Sequence, residues 1–167
     1  SHMLPSYNVE GSAKIPEANV ALEEYGTHFF FKVGNDKMEH YGTITKMGSL
    51  IKYDVPVMKM RYPFDYGETL SGEFSGKVAS PQGDEREFSG KYTIKVDGYG
   101  TLILPGNVKI EDVVRLKTIK EKSFKDTDYK SLMVSYKWYC KEVSYPLLTI
   151  IRFGTPENTK PARRALL

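Results

Sequence analysis

Apolar and polar residues alternate with a period of two along most of this chain, and helical periodicity is hard to find. Phe29, Phe31 and Val33 fall on one face of a predicted strand, with His28, Phe30 and Lys32 on the other. Phe88, Gly90, Tyr92, Ile94 and Val96 share a face opposite Glu87, Ser89, Lys91, Thr93, Lys95 and Asp97. That is the pattern of a half-buried antiparallel strand, apolar inward and charged outward. Leu132, Val134, Tyr136, Trp138 and Cys140 alternate as cleanly with Met133, Ser135, Lys137, Tyr139 and Lys141.

Turn residues punctuate these runs. Gly34-Asn35-Asp36, Ser80-Pro81-Gln82-Gly83-Asp84 and Pro105-Gly106-Asn107 suit turns or positive φ. Asp97-Gly98-Tyr99-Gly100 marks either a tight hairpin or a glycine bulge that bends a long strand. The best helical candidate, Ile110 to Leu116, is too short to change the class. The fold class expected is all-β, an antiparallel β-sandwich or flattened meander barrel, with an open half-barrel as the alternative. Leu102, Leu104, Val134, Tyr136, Trp138 and Ile150 are the expected core.

Glu-Phe-Ser-Gly-Lys occurs twice, at 73–77 and 87–91. Two arms of one hairpin, with 80–85 as the loop, explain this better than a repeat architecture, which needs about three or more units. Ser1-His2-Met3 resembles the scar of a cleaved tag, so residues 1–4 are set aside as a lead. Residues 5–153 are expected as a single β-domain. Residues 154–167, with Pro156 and Pro161, read as a linker or tail dispensable for folding.

Composition narrows the function classes. The 167 residues carry a formal charge of +3, of which Lys160, Arg163 and Arg164 against Glu157 place +2 in the tail. The rest is close to neutral, with Lys and Glu interspersed, so a nucleic-acid partner is not expected. No apolar run reaches the roughly 18 residues of a membrane-spanning helix. One cysteine, Cys140, excludes an internal disulfide framework.

Catalytic patterns fail on inspection. Gly72-Glu73-Phe74-Ser75-Gly76 has the wrong spacing for a nucleophile elbow, and Gly72 to Lys77 is one residue short of a phosphate loop. His28 and His40 lie beside aromatics without carboxylates at metal-site spacing, and both read as solvated surface residues. Cys140 continues an apolar stripe and reads as a small buried hydrophobe. Asp84, Glu85 and Glu87 cluster with Arg86 in a solvated turn, and Met58, Met60 and Tyr62 read as a core face. No catalytic residue, metal site or cofactor is expected. Aromatics are the remaining lead, with 12 Tyr, 8 Phe and one Trp. On an exposed sheet such rings stack on sugars or anchor a protein, whereas Trp138 in the core with Tyr139 in surface packing is the plainer assignment.

Residues 72–153 resemble a module of secreted bacterial proteins that often precedes a C-terminal sorting domain. The resemblance lies in Phe-Ser-Gly-Lys, then Asp97-Gly98-Tyr99-Gly100-Thr101-Leu102-Ile103-Leu104-Pro105-Gly106, then Val113-Val114-Arg115-Leu116-Lys117-Thr118. Trp138-Tyr139 and Tyr145-Pro146-Leu147-Leu148-Thr149-Ile150 complete the order. It implies an extracellular, cell-surface or periplasmic β-domain and carries over no functional residues. The function expected is a non-enzymatic surface domain binding a glycan, a protein or a matrix component. A lipid or small-hydrophobe carrier is the alternative, with Leu147 to Ile151 lining an apolar cavity of several hundred cubic ångströms. A spacer domain of a larger secreted protein is the third.

Overall fold

The computed structural model describes residues 2–142, 146–155 and 158–166. Ser1, Tyr145, Pro156 and Glu157, singled out above, lie outside the described residues, as do the side chains of His2, Lys160, Pro161, Arg163 and Arg164. The chain is all-β, as its alternation predicts. Its strands are β1 (His2–Pro5), β2 (Val20–Glu24), β3 (Thr27–Val33), β4 (Lys37–Ile44), β5 (Leu50–Arg61) and β6 (Thr69–Ala79). They continue with β7 (Glu85–Leu104), β8 (Val108–Phe124), β9 (Lys130–Tyr139), β10 (Leu148–Thr155) and β11 (Asn158–Leu166). Strand order in the sheet is the order along the chain, so each strand pairs with its sequence neighbours. The meander is antiparallel, and among the described residues its first and last strands do not pair with each other.

Where a single domain over 5–153 was expected, the chain divides into two compact units. The first holds Ser1–Pro63, Gly72–Lys91 and Lys122–Tyr129; the second holds Phe64–Ser71, Tyr92–Glu121 and Lys130–Leu167. β6, β7 and β8 each contribute residues to both.

In the first unit burial centres on aromatic side chains of β3, β5, β6 and β7. Phe30, Phe74 and Phe88 are fully buried with Ile15 and Val57. Tyr53 packs edge-on to Phe88, with ring centroids 5.4 Å apart, and Phe74 lies 6.0 Å from Tyr53. Strict alternation would send Phe31 to the face opposite Phe30, yet both are buried. The register of β3 on β4 shifts between them, and such a bulge breaks the two-residue period locally. Gly42 sits where strands approach closely: a Cβ there would lie 2.5 Å from Ile15 Cδ1 and 2.7 Å from the Ile51 carbonyl oxygen. His2 and Met3, set aside as a lead, pair through their backbone with Glu23 and Leu22 of β2.

The duplicated Glu-Phe-Ser-Gly-Lys segments do form the arms of one hairpin. β6 and β7 are joined across Ser80 to Asp84, with the Ser80 N–H donating to the Asp84 carbonyl at 2.9 Å and Gly83 at φ 96°. Its Phe74 and Phe88 rings lie 6.2 Å apart.

Expectations fail at several places in the second unit. Ile110 to Leu116 lies within the extended β8, not a helix. Its buried residues Val113 and Leu116 are three apart, which imitates a helical stripe. Asp112, at φ 54°, interrupts the strand's alternation just before them. Of the two alternatives for Asp97-Gly98-Tyr99-Gly100, the hairpin fails and the long strand holds, because β7 runs through it unbroken. The turn comes at Pro105-Gly106-Asn107, where Gly106 and Asn107 take φ of 81° and 60°.

The tail, expected as a linker, is paired into the sheet. β10 continues to Thr155, and β11 returns along it from Thr155↔Asn158 to Leu148↔Leu166. Two prolines were a reason to expect a linker; Pro156 lies outside the described residues, and the other is Pro161. It pairs with Arg152 in an edge strand, immediately beside a bulge at Ile151/Arg152, and both are settings in which a sheet tolerates proline.

The expected core residues Leu102, Leu104, Val134, Tyr136, Trp138 and Ile150 are only half-buried. Burial in this unit centres on Tyr92, Ile94, Val96, Val113 and Leu116. On β9 Ser135 is the buried residue, although it belongs to the face opposite Val134, Tyr136 and Trp138. Alternation assigned these rings correctly to one face, but that face is not sealed.

Candidate functional site

Of the half-buried rings of β9, Trp138 belongs to a groove within the second unit. Gly98, Tyr99, Gly100, Thr101 and Leu102 of β7, Val113 and Arg115 of β8, and Trp138 of β9 line a cavity of about 230 Å³. The segment that looked like a turn in the sequence is its floor.

Gly98 has a specific task there. A Cβ at this position would come 3.3 Å from Arg115 Cβ and 3.5 Å from its Nε, so glycine lets the arginine lie close against β7. Arg115 then forms a two-pronged ion pair with Asp97: Nε–H donates to Oδ1 at 2.9 Å and Nη2–H to Oδ2 at 3.2 Å. Parallel charge-assisted bonds of this kind fix orientation as well as adding energy. The hydrogen bonds it donates to Asp97 hold the Arg115 guanidinium above its ordinary pKa, so it stays charged throughout the usual pH range.

The guanidinium also lies 5.3 Å from the Tyr136 ring centroid and 5.8 Å from that of Trp138. Those rings, two residues apart on one face of β9, have centroids 6.5 Å apart and planes tilted by 37°. Lys117 Nζ lies 5.8 Å from the Tyr136 centroid. At the rim Tyr99 is 64 % exposed, and its hydroxyl donates to Asp112 Oδ1 at 2.5 Å. That bond and the Asp112 charge raise the phenol pKa.

The other candidates lie elsewhere. His40 is a core residue, not the solvated one expected: it is 6 % exposed, with the Phe31 and Tyr53 centroids each 5.0 Å away. Its Nε2 lies 2.8 Å from the Gly42 carbonyl oxygen, which can only accept, so Nε2 carries a proton. Register shifts on both sides of His40 turn it inward. His28 is half-buried and 3.7 Å from Glu23. Cys140 follows the end of β9 and is half-buried, not fully enclosed.

Asp84 and Glu85 are exposed, as a solvated turn requires. Glu85 pairs with Lys77 at 3.6 Å, Glu87 pairs with Lys125, and Arg86 bonds Asp126 at 2.8 and 2.9 Å. Met60 is buried and Met58 half-buried, but Tyr62 is 44 % exposed, so the expected core face ends at Met60.

Among the described residues no group of three or more His, Cys, Asp and Glu is placed to hold a metal ion, and no helix is long and apolar enough to cross a membrane. Trp138 and the Asp97-Gly98-Tyr99-Gly100 run stood out in the sequence, but Arg115 and Asp97 as a pair did not. They are 18 residues apart, and only the register of β8 on β7 brings them together. Family models, curated proteins and solved structures offer no match to this chain.

Proposed function

We propose that this chain is a non-enzymatic, exported or cell-surface β-domain that binds a glycan, protein or matrix component in the groove beside Trp138. The observation that carries the reading is the Arg115–Asp97 pair set against the Tyr136 and Trp138 rings. A half-buried indole with a few oriented polar groups is the composition of a recognition site. The same pairing argues against acid–base chemistry at this point. Both carboxylate oxygens of Asp97 accept from a guanidinium that does not release its proton, and neither partner is a proton shuttle in that state. Export rests on the likeness of residues 72–153 to secreted bacterial modules.

An array of neutral and acidic glycans, with immobilised collagen and fibrinogen alongside, tests the binding. The wild-type chain is expected to be retained by at least one of these, and Trp138→Ala to reduce retention about tenfold or more. Equal retention of the two proteins would remove the groove as the site. Fractionation of cells making the native protein tests the location, and a signal confined to the cytoplasm would overturn that half.

A further inference from the structure

Resting on the groove as the binding site, the geometry points to a neutral sugar ring as its occupant, one unit of an uncharged glycan. Its apolar ring face is placed against Trp138 and its adjacent hydroxyls on the Arg115–Asp97 pair. Size, charge and hydrogen-bonding capacity each support this choice.

A volume of about 230 Å³ lies below the roughly 300–1,000 Å³ of sites that enclose drug-sized ligands, and it suits a single six-membered ring with its hydroxyls. Arg115 is the one charged side chain among the described lining residues, and its charge is already met by Asp97. An anionic ligand would have to displace a carboxylate held by two charge-assisted bonds, or share the guanidinium with it at the expense of repulsion. An uncharged ligand meets neither cost.

The pair nonetheless keeps hydrogen-bonding capacity. Of about five guanidinium N–H groups two reach Asp97, and of about four carboxylate acceptor sites two are used. Unused donors of Arg115 therefore line the groove, and the acceptors of Asp97 lie directly behind them on its ion-pair partner. A sugar hydroxyl, which both donates and accepts, needs this combination, whereas a purely apolar ligand would leave it unsatisfied. Thr101 adds a hydroxyl, and Gly98 and Gly100 leave the floor without side chains. Trp138 offers the apolar wall against which the C–H face of a sugar ring packs.

Trp138 is the chain's sole tryptophan, so its fluorescence reports on this groove. Emission is titrated with cellotriose, mannotriose, xylotriose and chitotriose as neutral probes, and with trigalacturonate as the acidic one. At least one neutral trisaccharide is expected to shift the emission saturably, with trigalacturonate at least tenfold weaker. Arg115→Lys keeps the charge but loses the planar fork, and is expected to weaken that neutral ligand about tenfold. Asp97→Asn releases the guanidinium charge and is expected to move the preference towards trigalacturonate.

A shift with trigalacturonate alone would overturn the neutral-sugar inference and leave the groove standing as a binding site. No shift with any of the five probes at tens of millimolar would also overturn it. If a glycan or protein is retained on the array equally by wild type and Trp138→Ala, with the wild-type emission unmoved, the groove itself is not the site and the proposed function falls with it. Circular dichroism of each variant separates these outcomes from misfolding.

Discussion

The two units bury their aromatic faces to different degrees. In the first, Phe30, Phe74, Phe88, Ile15 and Val57 are sealed from solvent, and the rings from Phe31 through His40 and Tyr53 to Phe124 touch in series. In the second, Tyr136, Trp138, Leu102 and Leu104 alternate along their strands yet remain half-buried, and a charged pair lies against the two rings. Alternation states which side chains share a face; whether another layer covers that face is a separate matter. A covered aromatic face stabilises the fold, and an uncovered one is available to a ligand.

The sharpest way to break the comparison is to truncate one ring in each unit. Phe88→Ala is expected to destabilise the protein by about 3–5 kcal/mol, the range for deleting a buried phenylalanine. Phe88 is 1 % exposed, and the Tyr53, Phe74 and Phe124 rings all pack around it. Urea denaturation measures the loss. If Trp138→Ala proves as damaging, the second face is a core after all.

Alkaline titration comes next. Burial raises the Tyr53 phenol from 10.0 to about 12. The folded state therefore keeps a proton that the unfolded chain releases from pH 10 upward, and stability falls as pH rises through that window. The loss should approach about 2–3 kcal/mol by pH 12. Tyr53→Phe is expected to flatten the midpoint of urea unfolding between pH 10 and 12; an unchanged slope would mean that another group titrates there.

Trp138→Ala itself is expected to cost about 1–2 kcal/mol, below the full transfer value because the indole is only half-buried. Its effect on ligand retention should be larger than its effect on thermal midpoint, and the reverse order would blur the contrast between the units. The smallest effect belongs to the exposed ion pairs of the first unit. Arg86 holds the Asp126 carboxyl below its ordinary range, and Lys125 does the same for Glu87. Folded pKa values lowered in this way contribute stability above the ordinary carboxylate range, and the contribution disappears as pH falls through the lowered values. Asp126→Asn should lower the thermal midpoint only slightly, and less again in 1 M salt.

Much of the fold could be read from the residues, and the reasons differ from place to place. The strands through 87–97 and 132–139 followed from their alternation, and the paired Glu-Phe-Ser-Gly-Lys segments from symmetry of the two arms. His40 was misplaced because bulges on both sides alter the alternation, and a bulge leaves no mark in a single sequence. β11 was missed because proline argues against a central strand but is tolerated at an edge, and edges are a property of the assembled sheet. The groove divided along the same line. Its local parts, Trp138 and the Gly98–Gly100 floor, were visible, whereas the Arg115–Asp97 pair depends on cross-strand register.

The open meander has a consequence for how many molecules the sheet can comprise. A row of unbonded amides at a border is a template on which a second chain can continue the same ladder. Here both border strands carry a proline, Pro5 in β1 and Pro161 in β11. Each contributes a nitrogen with no hydrogen, an interruption that border strands tolerate. Neither rim offers an unbroken run of donors, so the architecture that leaves the sheet unclosed also limits its growth into a fibre.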